Sequence, residues 1–271
     1  MDENNIYMQS ITEQVIDIVS FTAQYIKNES INFSRDTIET KSVNNFVSYV
    51  DKEAEKLLVE KLSALIPDSG FITEEGTSHK TGENYCWIID PLDGTSNYIH
   101  RSTPYAISVA LMYKQEIIVG VINEITRDEC FYAWRGSKAY MNGQIINVSD
   151  TQKISDALIS TGRPHNYMDY YSKLLILMDY FLQNTHGVRQ SGSAATDLAY
   201  VACGRYDGRY EFGLKPWDIA AGIIIIKQAG GEVCDFYGGS DYFQNETLIA
   251  ANSKLLQELK NSMKRILNVL S

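Results

Sequence analysis

Apolar residues recur every three to four positions in two stretches near the start of the chain. Between Ile6 and Ile26, the residues Ile11, Val15, Ile18 and Val19 share one face at helical spacing, and between Asp51 and Ile66, Ala54, Leu57, Leu58 and Leu62 do the same. Two amphipathic helices are therefore predicted to open the chain. The stretch between them, Ile31 to Val50, is polar until the strand-like FVSYV, and a mobile loop is expected there.

After Pro67 the pattern shortens to β-rich runs, GFIT, CWIID, YAISVALMY, EIIVGVINEI, ECFYAWR and KAYMNG, separated by polar or glycine-containing turns. These predict a substantial, largely antiparallel sheet. From about Asp150 strands and helices alternate: ALIST, a helix over Tyr167 to Leu182, GVRQS, a helix over Ser193 to Ala202, YDGRYEF, a helix over Trp217 to Ala229 and a terminal helix near Ser253 to Val269. The pattern divides the chain into an α+β half, residues 1–149, and an α/β half, residues 150–271. No linker separates them, so the halves are expected to be tightly joined, with a ligand site between them.

A formal charge of −10 makes nucleic acid and anionic membrane poor partners, and it makes divalent cations the obvious source of positive charge if the ligand is anionic. Cys86, Cys130, Cys203 and Cys234 lack metal-ligand spacing and read as buried reduced thiols. The acidic N-terminus does not resemble a signal peptide, and the apolar run Ala220 to Ile226 is too short to cross a bilayer. A soluble cytoplasmic protein is expected.

Chemistry concentrates in WIIDPLDGTSNYIH, Trp87 to His100, where an apolar strand is predicted to end at Asp90 and pass into a turn. Pro91 fixes φ, so Asp90, Asp93 and the Leu92 carbonyl can be aimed at one point, and hard oxygen donors of this kind suit magnesium or manganese. Gly94 and Thr95 would open a short helix whose free N–H groups favour an anion. Taken alone, these residues read equally as turn and capping residues. The same holds for Glu74 and Glu75 as a solvated strand edge, for Asp218 as a helix cap in KPWDIAAG, and for Asp51 as an N-cap after VSYV.

Together, TEEG at Thr73 to Gly76, DPLDGTSN at Asp90 to Asn97 and WDIAAG at Trp217 to Gly222 resemble the three signature segments of the inositol monophosphatases, in order and at the expected separation. The resemblance runs from the opening helices to GGEVCDF at Gly230 to Phe236. It implies a five-layered αβαβα sandwich of the inositol monophosphatase or sugar phosphatase type. It also implies two or three Mg2+ ions per site, replaceable by Mn2+. Glu74, Asp90 and the Leu92 carbonyl would hold one ion, and Asp90, Asp93 and Asp218 a second. Glu74 and Thr95 would orient the attacking water, with Asp51 accepting from the Thr95 hydroxyl. Gly94, Thr95, Gly192, Ser193 and Ala194 would line the substrate pocket, and Glu211, read as an exposed acid, would accept from substrate hydroxyls or else be a surface glutamate. Lys41 would lie in a loop near a third metal position.

The implied function is hydrolysis of a small phosphate monoester, foremost myo-inositol 1-phosphate, by a homodimer sensitive to lithium. Fructose 1,6-bisphosphate or 3'-phosphoadenosine 5'-phosphate are alternative substrates. The alternative of another class is a regulatory protein-binding role in RNA-linked machinery, which some bacterial members of the family serve. Two positions depart from the pattern: Arg101 stands where glycine is usual, and Arg163 where an apolar aromatic is common. Arg163 is read as a surface residue paired with an acid, the alternative being a clamp for a second anionic group.

Overall fold

The computed structural model describes residues 3–34, 39–42, 45–164 and 168–267. The first layer is α1 (Glu3–Asn32) beside α2 (Tyr49–Leu65). Their apolar faces, with Ile11, Val15, Val19 and Ile26 from α1 and Val50, Ala54, Leu58 and Leu62 from α2, pack on one side of a sheet. α2 starts before Asp51 because Ser48 caps it. The Ser48 hydroxyl accepts from the Val50 amide at 3.1 Å, and Asp51 on the first turn accepts from the Ser48 amide at 2.8 Å. FVSYV is therefore not one strand. Only Asn45–Val47 (β2) is a strand, paired antiparallel with Glu39–Ser42 (β1), so part of the expected loop is a strand pair, and residues 35–38 and 43–44 of it lie outside the described residues.

The second layer is a seven-stranded sheet in sequence order: β3 (Gly70–Thr73), β4 (Tyr85–Asp93), β5 (Ala106–Tyr113), β6 (Glu116–Glu124), β7 (Glu129–Trp134), β8 (Ala139–Met141) and β9 (Gln144–Ile146). β3 and β4 run parallel and the remaining pairs antiparallel. A one-turn helix, α3 (Thr95–Ile99), follows β4. The sheet is covered on both faces, which explains why β4 to β6 read as near-continuous apolar runs instead of alternating.

Its second face meets α5 (Ala194–Ala202) and α6 (Pro216–Gln228), the central layer. α6 is buried at every residue from Ile219 to Ile226, as a helix between two sheets must be. Gly120 of β6 permits that close approach: a Cβ there would lie 2.7 Å from the Ala221 carbonyl oxygen.

The fourth layer is a five-stranded sheet of order β11 (Gly187–Arg189), β10 (Leu158–Thr161), β12 (Gly208–Phe212), β14 (Thr247–Ala251), β13 (Glu232–Cys234). β10 is parallel to both its neighbours, while β14 runs antiparallel to β12 and β13. α4 (Met168–Asn184) and α8 (Ser253–Leu267) close the outer face with Leu174, Leu177, Phe181, Leu255, Leu259 and Met263. The order of layers is αβαβα, as expected from the sequence. β9, β13, β14 and the short α7 (Tyr242–Asn245) are elements that the hydrophobic pattern did not resolve. All four cysteines are unpaired, with Cys234 buried and the others half-buried. Among the described residues no helix is long and apolar enough to cross a membrane.

Candidate active site

Asp90 and Asp93 do not leave a strand for a turn; the strand continues through both. Asp90 pairs with Ser108 and Asp93 with Ala106, so two residues, Pro91 and Leu92, oppose Ile107 alone. That is a bulge, and Pro91, which has no N–H to give a ladder, fits it. Its effect on direction is decisive. Side chains three apart on a regular strand face opposite sides, and the extra residue restores both carboxylates to the same side.

Both line a cavity of about 540 Å³ with Glu74, Leu92, Gly94, Thr95, Gly192, Ser193, Ala194, Glu211 and Asp218. One wall comes from residues 74–97 and the other from residues 161–218, so both sheets contribute. Gly94, with φ of 96°, opens α3, and a Cβ there would meet the Pro104 and Gly192 carbonyl oxygens at 3.0 and 3.2 Å. Gly192, with φ of 90°, lies against Asn97. The Asn97 amide donates to the Pro104 carbonyl at 2.7 Å and the Ser191 carbonyl at 2.9 Å, which ties the two walls together.

Each acid is held from behind. The Leu92 amide donates to Asp90 Oδ1 at 3.0 Å, and the Lys215 amide to Asp218 Oδ2 at 2.7 Å. Asp93 Oδ2 accepts from the Ser193 hydroxyl at 2.6 Å and the Ala195 amide at 2.7 Å, so the start of α5 embraces it. Ser193 is also the N-cap of α5, accepting from the Thr196 amide at 3.2 Å. Asp51 stands behind the wall, fully buried, and accepts from the Thr95 hydroxyl at 2.9 Å and the Ser48 hydroxyl at 2.6 Å. Thr95 Oγ1 also lies 3.1 Å from the Leu92 carbonyl oxygen. It has one proton for two acceptors, so with that proton on the Asp51 carboxylate the Leu92 carbonyl keeps its lone pairs. Asp51 itself titrates above the usual carboxylate range because of burial, against the hydrogen bonds from Ser48 and Thr95.

The charges identify what the cavity lacks. Burial first, then Glu74, Asp93 and Asp218, push the Asp90 carboxyl far above its usual range. Burial and then Asp93 do the same for Asp218, while burial raises Asp93 against the Ser193 and Ala195 hydrogen bonds. Asp90 and Asp218 each keep a carboxylate oxygen with no hydrogen-bond partner among the described residues. Hard, mutually repelling oxygen donors facing one space are the donor set of magnesium or manganese. Among the described residues no three such side chains already stand at metal-ligand positions, so the fit is one of donor type and shared face, not of preset distances.

The opposite wall contains residues that sequence reasoning missed. Arg209, fully buried on β12, pairs with Asp197 of α5 and with Glu211. Burial pushes Asp197 up to about 6 and Glu211 up to about 7, with Arg209 opposing both shifts. Glu211 is thus neither an exposed acid nor a surface glutamate. It packs against Gly162 so closely that a Cβ there would fall on its carboxylate. The available signals were Arg209 and Glu211 two apart on one strand and Asp197 alone in the apolar AATDLAYVA.

Glu55 was also missed. It is fully buried on α2 and accepts from the Glu75 amide at 2.8 Å, and from the Thr77 amide and hydroxyl at 2.9 and 2.8 Å, fixing the loop after Glu74. Arg163 is exposed, as expected of a surface residue, but it lines the cavity, and among the described residues it forms no ion pair with an acid. The side chain of Lys41, on β1, lies outside the described residues.

A five-layered αβαβα sandwich with an acid-lined cavity between its sheets defines the sugar-phosphatase class of fold. Within that class the chain belongs to the inositol monophosphatase family, whose model matches residues 8–267. An inositol-1-monophosphatase of Mesorhizobium japonicum is 38% identical over 232 residues, 85% of this chain and 87% of the relative. A Nus factor SuhB of Pasteurella multocida is 37% identical over 237 residues, 86% and 89% of the two chains. The crystal structure of extragenic suppressor protein suhB from Bartonella henselae superposes with a TM-score of 0.88 at 34% identity, covering 94% of this chain and 98% of the other.

Proposed function

We propose that the protein hydrolyses small polyol phosphate monoesters with Mg2+, myo-inositol 1-phosphate being the simplest. The observation that carries this reading is the wall of Glu74, Asp90, Asp93 and Asp218, four acids that line one cavity, with Asp90 and Asp218 buried and pushed far above the usual carboxylate range by burial and by acidic neighbours. Glu74, Asp90 and the Leu92 carbonyl would hold one Mg2+ and Asp90, Asp93 and Asp218 another, with Mn2+ able to replace either. Such an ion pair supplies positive charge to the phosphate oxygens and makes a water acidic enough to attack at neutral pH.

The rest falls to the side chains. Thr95, giving its own proton to Asp51 Oδ1, presents Oγ1 lone pairs to the attacking water, and Glu74 accepts the water's other proton. Gly94, Gly192, Ser193 and Ala194 border the phosphate, and Glu211, through the oxygen that Arg209 does not hold, accepts from a substrate hydroxyl. The test is phosphate release from myo-inositol 1-phosphate, fructose 1,6-bisphosphate and 3'-phosphoadenosine 5'-phosphate, with and without Mg2+, for wild type and Asp93→Asn. Mg2+-dependent release that disappears in the variant supports the reading, and no release by folded wild type opposes it. The family also leads us to expect a homodimer, checked by light scattering, and inhibition by Li+ in the same assay.

The relative named as a Nus factor favours a second reading, in which the protein also serves RNA-linked machinery through a protein partner. With a charge of −10, a protein surface suits it better than RNA itself. If Asp93→Asn abolishes phosphate release and leaves the cellular phenotype of the wild-type gene intact, this role stands apart from catalysis.

A further inference from the structure

Among the described residues three cationic side chains line the cavity: Arg209, Lys215 and Arg163. Two are committed, Arg209 to Asp197 and Glu211 beneath the wall, and Lys215 to Glu246. Arg163, exposed at the cavity, forms no ion pair among the described residues, although the cavity is rich in carboxylates. Its place in the fold is fixed on both sides. Before it, Gly162 lies against the Glu211 carboxylate, a contact that only a residue without Cβ permits. After it, Pro164 is buried, and its carbonyl accepts from the Tyr171 hydroxyl of α4 at 3.1 Å. A residue preceding proline is itself restricted to extended backbone. Arg163 therefore lines the cavity next to the residue that packs on Glu211, on the wall facing the one that carries Asp90 and Asp93.

We propose that Arg163 is a specificity-determining residue, and that the preferred substrate is a polyol phosphate whose leaving group carries a second phosphate. This deepens the phosphatase reading above and rests on it. With the reacting phosphate at the Asp90 and Asp93 end, the leaving group extends toward Glu211, which takes its hydroxyls. An anion on the far side of that group meets Arg163, whose planar fork matches two phosphate oxygens at once. A neutral polyol leaves the guanidinium solvated and gains nothing from it. Discrimination therefore comes from a contact that only the doubly charged substrate makes.

The experiment measures binding and turnover separately for wild type, Arg163→Ala and Arg163→Lys, on myo-inositol 1-phosphate, inositol 1,4-bisphosphate and fructose 1,6-bisphosphate. Binding is read by calorimetry with Ca2+ in place of Mg2+, and turnover by phosphate release with Mg2+. We expect wild type to bind at least one bisphosphate roughly tenfold or more tightly than the monophosphate. Arg163→Ala should erase that preference while changing monophosphate affinity by less than about threefold, and Arg163→Lys should keep part of it as a point charge. Unchanged thermal midpoints exclude misfolding as the cause. Equal affinity of wild type for both classes, or equal losses on both in Arg163→Ala, overturns the proposal. Absence of phosphate release from every ester overturns the phosphatase reading instead, and the binding preference is still read.

Discussion

The cavity has two acidic walls that meet the cost of burying carboxylates in different ways. Asp197 and Glu211 share Arg209 between them, so part of their charge is met within the protein. On the other wall, burial and acidic neighbours raise the proton affinity of Asp90 and Asp218, and among the described residues neither they nor Asp93 is ion-paired to a lysine or arginine. A buried charge is tolerable only when it is paired or neutralised. The first wall thus holds a cation within the fold, while the second, on the proposed reading, takes its cations from outside. The difference predicts that neutralising an acid relieves the second wall, while the first suffers most from losing its arginine.

The largest effect is expected at the Asp90 wall. Asp90→Asn should lower phosphate release roughly a thousandfold or more, since several kcal/mol of charge stabilisation depend on cations that Asp90 would share. Steady-state release at saturating Mg2+ measures this. Arg209→Met should be the most destabilising change at the other wall, by about 3–5 kcal/mol, because it strands two buried carboxylates. Urea midpoints read that loss, and adding Asp197→Asn and Glu211→Gln to the same chain should recover much of it.

A smaller effect concerns pH. Folding raises Glu211 from its usual 4.5 to about 7, so the folded chain holds a proton that the unfolded chain has released. Its contribution to stability is present below the unfolded value and is lost as pH rises through the folded one. The metal-free protein should lose stability between those two values, by something on the order of 2 kcal/mol from this residue. Glu211→Gln should flatten that slope in urea melts taken across the range. The smallest effect is expected at Glu55→Gln, where an amide cannot accept all three bonds from Glu75 and Thr77. Mg2+ affinity, read by calorimetry, should fall roughly tenfold as the loop carrying Glu74 loosens.

The two walls also differed in how far the sequence revealed them. α1, α2, α6 and β4 to β7 follow from hydrophobic spacing, and Glu74, Asp90, Asp93 and Asp218 from short local segments that resemble a family. Both signals lie within a few residues of chain. The bulge at Pro91 was not legible, because it exists only in the register of β4 against β5. The Arg209 pairs join residues on α5 and β12, and Glu55 meets a loop some twenty positions away. Arg163 is exposed as the sequence suggested, but nothing in TGRPH tells that it borders the cavity. Long-range pairing, not local propensity, placed each of these.

The central claim is that the Asp90 wall is electrostatically incomplete without cations. Its most direct test is the thermal midpoint of wild type and Asp90→Asn, each metal-free and in excess Mg2+. The account predicts that Mg2+ raises the wild-type midpoint by selective binding to the folded state. It predicts that the metal-free variant melts above metal-free wild type and that Mg2+ shifts it little. A wild-type midpoint indifferent to Mg2+, or a metal-free variant that melts below wild type, would contradict it.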